Sequence, residues 1–268
     1  NKNYQSIKVM NIKKNFFNKK LISLFPDRFN LLIVEKFIEN KLFIDLRKNF
    51  PTDNYFNNKT KFALTLPQYD KNFNLFLREC KIWKNFIDLL NSDDFKKEVI
   101  KNFKIKNVFF SDKSLKRFIP FFKKVKLEFT FNKSYNKSFN NPHTDSTRKI
   151  VSMIIFFTSD EWSINNGGLV NLYKPKDNKY EFNWRNEVVE ENKLEVIKTI
   201  IPIPNNFYGF KKTKNSYHSV SKILCDDAKS RDVLMINLSY AEPKDVPYVD
   251  KTFFERFYQK IVKMVNSF

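Results

Sequence analysis

A chain of 268 residues with 42% hydrophobic content and 31 Phe is long enough to bury a sizeable core without disulfides, and one folded domain over 1–268 is expected. Two cysteines, Cys80 and Cys225, exclude a secreted disulfide framework and form no CxxC pair of the kind that holds zinc, so the expected setting is reducing and cytoplasmic. The net charge of +20 points to an anionic partner only weakly, because Lys is spread along the whole chain beside abundant Asn, Ile and Phe, a mix that AT-rich coding favours. The same bias accounts for the Asn-x-Ser/Thr triplets at Asn58, Asn132, Asn136 and Asn237. No apolar run reaches the roughly 18 residues of a membrane span, and the opening NKNYQSIKVMNIKKNFFNKK has no signal-type apolar segment. The chain is expected to be soluble, and its start at Asn1 without a Met reads as trimmed or cut from something longer.

In chain order, NLLIVEKFIENKLFIDLRKNFP predicts a short strand and then a helix from about Glu39 to Asn49, with Leu42, Phe43 and Leu46 on one face and Pro51 as its stop. CKIWKNFIDLLNSDDFKKEVIKNF places Trp83, Phe86, Ile87 and Leu90 at helical spacing, and its NSDDF supplies an N-cap for a second helix. From VKLEFTFNKS onward the pattern changes. KIVSMIIFFTS, GLVNLY, VIKTIIPI, NNFYGF, YHSVSKIL and RDVLMINLSY are β-branched and aromatic runs separated by polar turns, which predicts a β-sandwich or jelly roll of about eight strands. DKTFFERFYQKIVKMVNSF sets Phe253, Phe254, Phe257, Ile261 and Val265 on one helical stripe, expected to pack on the sheet. The organisation read from this is α+β, with mainly helical support over 1–115, a β core over 116–249 and a C-terminal helix over 250–268.

Only two histidines are present, and one of them, His143, precedes Asp145 by two residues. On an extended segment both side chains can face the same way. Two imidazoles and one carboxylate on one face of an octahedron leave three positions open, the arrangement of non-haem Fe(II) sites, and His218 is the available third ligand. HxD alone occurs often by chance, and a lone buried His is usually satisfied by hydrogen bonds, so the pattern could be a metal site or an accident. Further features weigh toward the site. Arg231 opens the strand after His218, where its fork of donors could grip a dicarboxylate. Two of the three Gly, Gly167 and Gly168, occupy an expected turn, where Gly allows φ > 0 or close backbone approach.

The run His143-Thr-Asp145, Arg148, an apolar strand, Asp160-Glu-Trp162, Gly167-Gly168-Leu169, His218 and Arg231 resembles the Fe(II)- and 2-oxoglutarate-dependent dioxygenases, within them the prolyl-hydroxylase branch. The resemblance covers roughly Val125 to Glu242. It implies a double-stranded β-helix, a jelly-roll relative, for the core. It also implies Fe(II) held by His143, Asp145 and His218, with 2-oxoglutarate as cosubstrate, O2 as oxidant and ascorbate as a possible supporting reductant. Arg231 would pair with the C5 carboxylate of 2-oxoglutarate, with Lys229 as runner-up, because Arg231 lies further from the distal His than is common in the family. Phe157 falls where prolyl hydroxylases often carry a Tyr that contacts 2-oxoglutarate. Asn237, on the same strand face as Arg231, would be either a polar contact or an inward Asn bonded to a neighbouring strand.

Arg148, Trp162 and Trp184 could line the mouth, or be a solvated Arg and core or rim aromatics. The acidic NEVVEENKLE reads as an exposed insertion near the opening. The implied activity is hydroxylation of an unactivated C–H bond, and the intact Asp145 favours this over halogenation. A prolyl residue in a peptide or protein is the expected substrate, with a free amino acid, a sugar or another small molecule as the rival. A nucleic-acid demethylase of the same superfamily would suit the charge, but its usual second Arg is Asn237 here. From a different class, a non-catalytic basic β-sandwich binding polyanions is the alternative, against which the intact His143, Asp145, His218 and Arg231 weigh.

Overall fold

The computed structural model describes residues 21–22, 29–60, 62–111, 113–119, 121–184, 186–226 and 228–246. Along the chain the elements are β1 (Leu21–Ile22), β2 (Leu31–Val34), α1 (Asn40–Lys48), β3 (Asn58–Lys59), β4 (Ala63–Pro67), α2 (Lys71–Glu79), α3 (Lys81–Leu90) and α4 (Asp93–Asn102). They continue with β5 (Val108–Phe109), β6 (Lys123–Ser134), β7 (Asn140–His143), β8 (Lys149–Phe156), β9 (Val170–Pro175), β10 (Leu194–Ile200), β11 (Phe207–Lys211), β12 (His218–Val220) and β13 (Arg231–Tyr240).

Helices α1, α2 and α4 start where side-chain acceptors meet the free N–H groups of a first turn. The Glu39 carboxylate accepts from the N–H of Lys41 and Leu42 ahead of α1. Ser92 Oγ accepts from Phe95 N–H ahead of α4, whose first turn also carries Asp93 and Asp94, favourable at the positive end of the helix dipole. Helix α2 was not among the sequence expectations; Asp70 caps it and Phe73 and Phe76 form its buried face.

The strands form two sheets, antiparallel except where β5 pairs parallel with β6. The larger runs β1-β2-β11-β8-β13-β6-β4-β3, and the smaller runs β10-β9-β12-β7. Between them lies an apolar layer of Phe156, Tyr208, Phe210 and Val233 from the larger sheet and Val170, Leu172 and Ile200 from the smaller. The helices cover the other face of the larger sheet, where Phe43, Trp83 and Phe95 pack with Phe131, Ile155, Phe157 and Leu234. Phe131 is ringed by aromatics, with Phe50, Phe76 and Trp83 edge-on at centroid distances of 5.4, 5.4 and 4.8 Å.

The larger sheet is therefore buried on both faces, which explains the unbroken apolar run of KIVSMIIFF. Alternation along β8 and the residue after it sends Phe156 toward the smaller sheet and Phe157 toward the helices. The segment expected to be mainly helical also gives strands: β1 to β5 all join the larger sheet. The helix expected over 250–268 lies outside the described residues. Among the described residues no helix is long and apolar enough to cross a membrane.

Candidate active site

Strands β7 and β12 are antiparallel neighbours in the smaller sheet, with His143 directly opposite His218. Their ring centroids are 4.4 Å apart. Thr144, fully buried, donates its hydroxyl to the Asn183 carbonyl at 2.8 Å and anchors the chain between His143 and Asp145. The ligand atoms offered by His143, Asp145 and His218 all lie within 4.8 Å of one another. His143 Nδ1 is 2.8 Å from the Asn141 carbonyl, and His218 Nδ1 is 3.1 Å from that of Ser216. A carbonyl oxygen only accepts, so each Nδ1 carries its proton there and Nε2 is the nitrogen left to face a ligand.

Asp145 is 4% exposed, yet its charge is well supported. Oδ1 accepts from Lys149 Nζ at 2.6 Å and Oδ2 from Ser152 Oγ at 2.6 Å, while the Lys212 ammonium donates to the main-chain carbonyl. Burial alone would raise its pKa; the positive charge of Lys149, the neighbouring His218 and the two hydrogen bonds outweigh it and hold the carboxyl well below its ordinary range. Burial pushes His218 down to about 4 despite the nearby carboxylate, so its ring is neutral at neutral pH. Burial likewise lowers Lys212 to about 8, against the pull of Asp145.

At the head of β13, Arg231 pairs in register with Ser134 and is 3% exposed. Its guanidinium carbon lies 5.2 Å from the Phe156 ring centroid, and neither Nε nor Nη2 has a hydrogen-bond partner. Burial lowers its pKa to about 10, which leaves it charged at neutral pH. A buried cation with free donors is costly unless an anion completes it. Gly168, at φ +66°, makes the seat: a Cβ there would lie 2.7 Å from Arg231 Cδ. Triad and guanidinium line one cavity of about 300 Å3 between the two sheets, together with Lys149, Ser152, Tyr208 and Asn237. Two imidazole nitrogens and a carboxylate suit a divalent transition metal such as Fe(II), and the unpaired guanidinium beyond them suits the far carboxylate of a diacid.

The other predicted positions divide. Asn237 lines the cavity with its Oδ1 3.3 Å from Ser152 Oγ, whose one proton goes to the nearer Asp145 Oδ2, so it sits at once in the cavity and beside the neighbouring strand. Phe157 does not reach the cavity; it stacks on Phe43 at 5.4 Å in the helical layer. Lys229 is turned outward, 3.4 Å from Glu161 and 4.0 Å from Asp226. Arg148 pairs with Glu128 at 3.2 Å on the surface and does not line the cavity. Trp162 is buried and donates Nε1–H to the Gly167 carbonyl at 3.1 Å, bracing the Gly-Gly turn rather than lining the mouth. Trp184 lies under the Lys212 ammonium at 4.8 Å. The acidic stretch is tied down: Val189 is buried with its N–H on the Pro142 carbonyl, and Glu191 accepts from Tyr173.

Sequence reasoning missed Lys149, Ser152, Tyr208 and Lys212. Lys149, four residues after Asp145, and Ser152, one alternation before Ile154 and two before Phe156, were open to spacing arguments; Tyr208 lies on β11 and Lys212 just after it, both far along the chain.

No protein-family model matches the chain, and no curated protein matches it in sequence. Solved structures do. A prolyl hydroxylase from Trichoplax adhaerens, in complex with a peptide fragment of the hypoxia inducible factor oxygen degradation domain, is 10% identical with a TM-score of 0.50, over 84% of this chain and 88% of that one. A prolyl 4-hydroxylase from Phytophthora capsici is 12% identical with a TM-score of 0.49, over 89% and 69%. HygX from Streptomyces hygroscopicus, with nickel and 2-oxoglutarate bound, is 10% identical with a TM-score of 0.48, over 80% and 84%. In fold, then, the chain is similar to a prolyl hydroxylase, and it brings His143, Asp145 and His218 together as a metal-type triad.

Proposed function

We propose that the chain is a single-domain Fe(II)- and 2-oxoglutarate-dependent dioxygenase that hydroxylates an unactivated C–H bond, with a prolyl residue in a peptide or protein as substrate. The observation that carries this reading is the convergence, in one cavity, of three metal-type ligands with a buried guanidinium that has free donors. Within the two facing sheets we read the double-stranded β-helix that the sequence resemblance implies, with His143 and His218 on the smaller sheet, Asp145 in the segment that leads from β7 to β8, and Arg231 on the larger sheet.

His143, Asp145 and His218 would hold Fe(II), their Nε2 atoms free because both Nδ1–H groups are engaged by main-chain carbonyls. Arg231 would take the C5 carboxylate of 2-oxoglutarate, and Asn237 would offer it a polar neighbour. When bound, the metal and cosubstrate supply the oxidising power from O2, with 2-oxoglutarate leaving as succinate and CO2. The protein's share is to aim and shield. Gly168 lets the Arg231 side chain pass close against the turn, the Phe156 and Tyr208 rings exclude water from it, and Ser152 and Lys149 fix the carboxylate plane of Asp145. The prolyl substrate and stimulation by ascorbate rest on the sequence resemblance, and a cytoplasmic setting rests on the low cysteine content.

The test is turnover. Protein supplied with Fe(II), ascorbate, O2 and 2-oxoglutarate should form succinate coupled to a product one oxygen atom heavier when offered a library of proline-containing peptides. Asp145→Ala should abolish both. Coupled succinate with free amino acids or sugars and none with peptides would move the substrate class to small molecules.

A further inference from the structure

The two oxygens of Asp145 are not equivalent. Oδ2 is the one turned to the imidazoles, 4.0 Å from His218 Nε2. Oδ1 points the other way and is capped by the Lys149 ammonium at 2.6 Å. Lys149 follows Asp145 by four residues, where it opens β8, and its side chain is 30% exposed on the wall of the cavity. The carboxylate cannot swivel to exchange the two oxygens without breaking its hydrogen bond to Ser152 at Oδ2 as well as its ion pair at Oδ1. The backbone behind it is pinned by Lys212.

We propose that Lys149 is a positioning residue that restricts Asp145 to ligation through one oxygen and so keeps a coordination position open for dioxygen. The proposal rests on the reading of the site as a metal and 2-oxoglutarate centre. Three protein atoms on an octahedral metal leave three positions, two for a chelating 2-oxoglutarate and one for O2. A carboxylate ligating through both oxygens would occupy one more and leave none for O2. The ammonium at Oδ1 opposes that swing in two ways: it occupies the lone pair facing it, and its positive charge repels a divalent cation drawn toward the same oxygen.

The experiment uses nitric oxide as a spectroscopic stand-in for O2, added anaerobically to the full chain loaded with Fe(II) and 2-oxoglutarate. Chelation of 2-oxoglutarate is read first, from its visible charge-transfer band. Occupancy of the remaining position is read from the half-integer-spin paramagnetic resonance signal of the iron–nitrosyl species. Wild-type protein should give both. Lys149→Met should keep the band and lose more than half of the nitrosyl signal, and Lys149→Arg, which keeps a cation at Oδ1, should restore it. A Lys149→Met protein with the band and a full nitrosyl signal overturns the proposal. So does loss of the band itself in Lys149→Met alone, which would make Lys149 a requirement for metal or cosubstrate binding instead. Absence of the band in wild-type protein would instead sink the reading of the centre on which the proposal rests, and the proposal with it.

Discussion

Gly168 and Arg231 fit against each other with no room for a side chain between them: a Cβ on Gly168 would meet Arg231 Cδ at 2.7 Å and Nε at 3.3 Å. The backbone there is left-handed at φ +66°, which glycine adopts freely and an L-residue does not. Gly168→Ala is expected to cost about 1 kcal/mol or more in stability from the backbone alone. It should also displace the guanidinium. The affinity for 2-oxoglutarate should fall while the affinity for Co(II) or Fe(II) stays, which paired titrations would separate.

Arg231 is expected to weaken the ligand-free fold that contains it, because its charge is buried and two of its donor nitrogens are unpaired. Arg231→Met should leave the melting temperature of the ligand-free protein unchanged or raised. With metal present, 2-oxoglutarate should stabilise the wild type and do little for the variant. The loss in 2-oxoglutarate affinity should be about 2–4 kcal/mol, or about 30- to 1000-fold. Calorimetric melts with and without cosubstrate check both signs.

Ser152 donates to the Asp145 oxygen that faces the imidazoles. Ser152→Ala removes that hydrogen bond and loosens the orientation of the carboxylate. Metal affinity should drop by about 10- to 100-fold, measured by Co(II) titration against a competing chelator.

Phe157 separates the sequence expectation from the structure. It belongs to the aromatic layer under the helices, 5.0 Å from Trp83 and 5.4 Å from Phe43 by ring centroids. Phe157→Ala should cost about 3–5 kcal/mol in stability through the cavity it leaves. Its folded fraction should bind 2-oxoglutarate with wild-type affinity. A loss of affinity without a loss of stability would return Phe157 to the cosubstrate site.

Asp232, next to Arg231 but on the opposite face of β13, gives a pH-dependent prediction away from the metal ligands. Burial pushes its carboxyl up to about 6, partly opposed by the Ser230 hydroxyl at 2.6 Å. A folded pKa above the unfolded value of about 3.9 means that its contribution to stability is fully present below that value and is lost as pH rises through about 6. Asp232→Asn can keep the Ser230 bond without the charge. Its stability relative to wild type should therefore grow with pH between about 4 and 7, levelling off at about 1–2 kcal/mol, since the side chain is partly exposed. Denaturant unfolding of both proteins at several pH values tests the sign.

Much of the fold was legible because its signals are local. Periodicity and caps found the helices at Asn40–Lys48, Lys81–Leu90 and Asp93–Asn102, and turn residues found the strands from β6 onward except β7. The helix at Lys71–Glu79 and the strand Ala63–Pro67 escaped because PQYD between them reads only as a turn, and the strand is short. The metal ligands were legible for a different reason: with two histidines in the chain, HxD has one available partner. Phase along the central strands was not legible. Both faces of KIVSMIIFF are apolar, so nothing in the sequence says whether Phe156 or Phe157 faces the site, and the choice falls to the helices that cover one side. For Arg148 and Trp162 the sequence left open a place at the mouth or a surface Arg and a core aromatic; the structure gives the second, because their partners, Glu128 and the Gly167 carbonyl, are set by pairing and turn geometry.

The most direct measurement of the central claim is anaerobic addition of Fe(II) and 2-oxoglutarate to the metal-free protein, followed in the visible region. The account predicts a charge-transfer band that needs both additions, disappears in Asp145→Ala, and requires far more 2-oxoglutarate in Arg231→Ala. A wild-type protein that binds Fe(II) yet gives no band at saturating 2-oxoglutarate, or a band indifferent to Arg231, would contradict it.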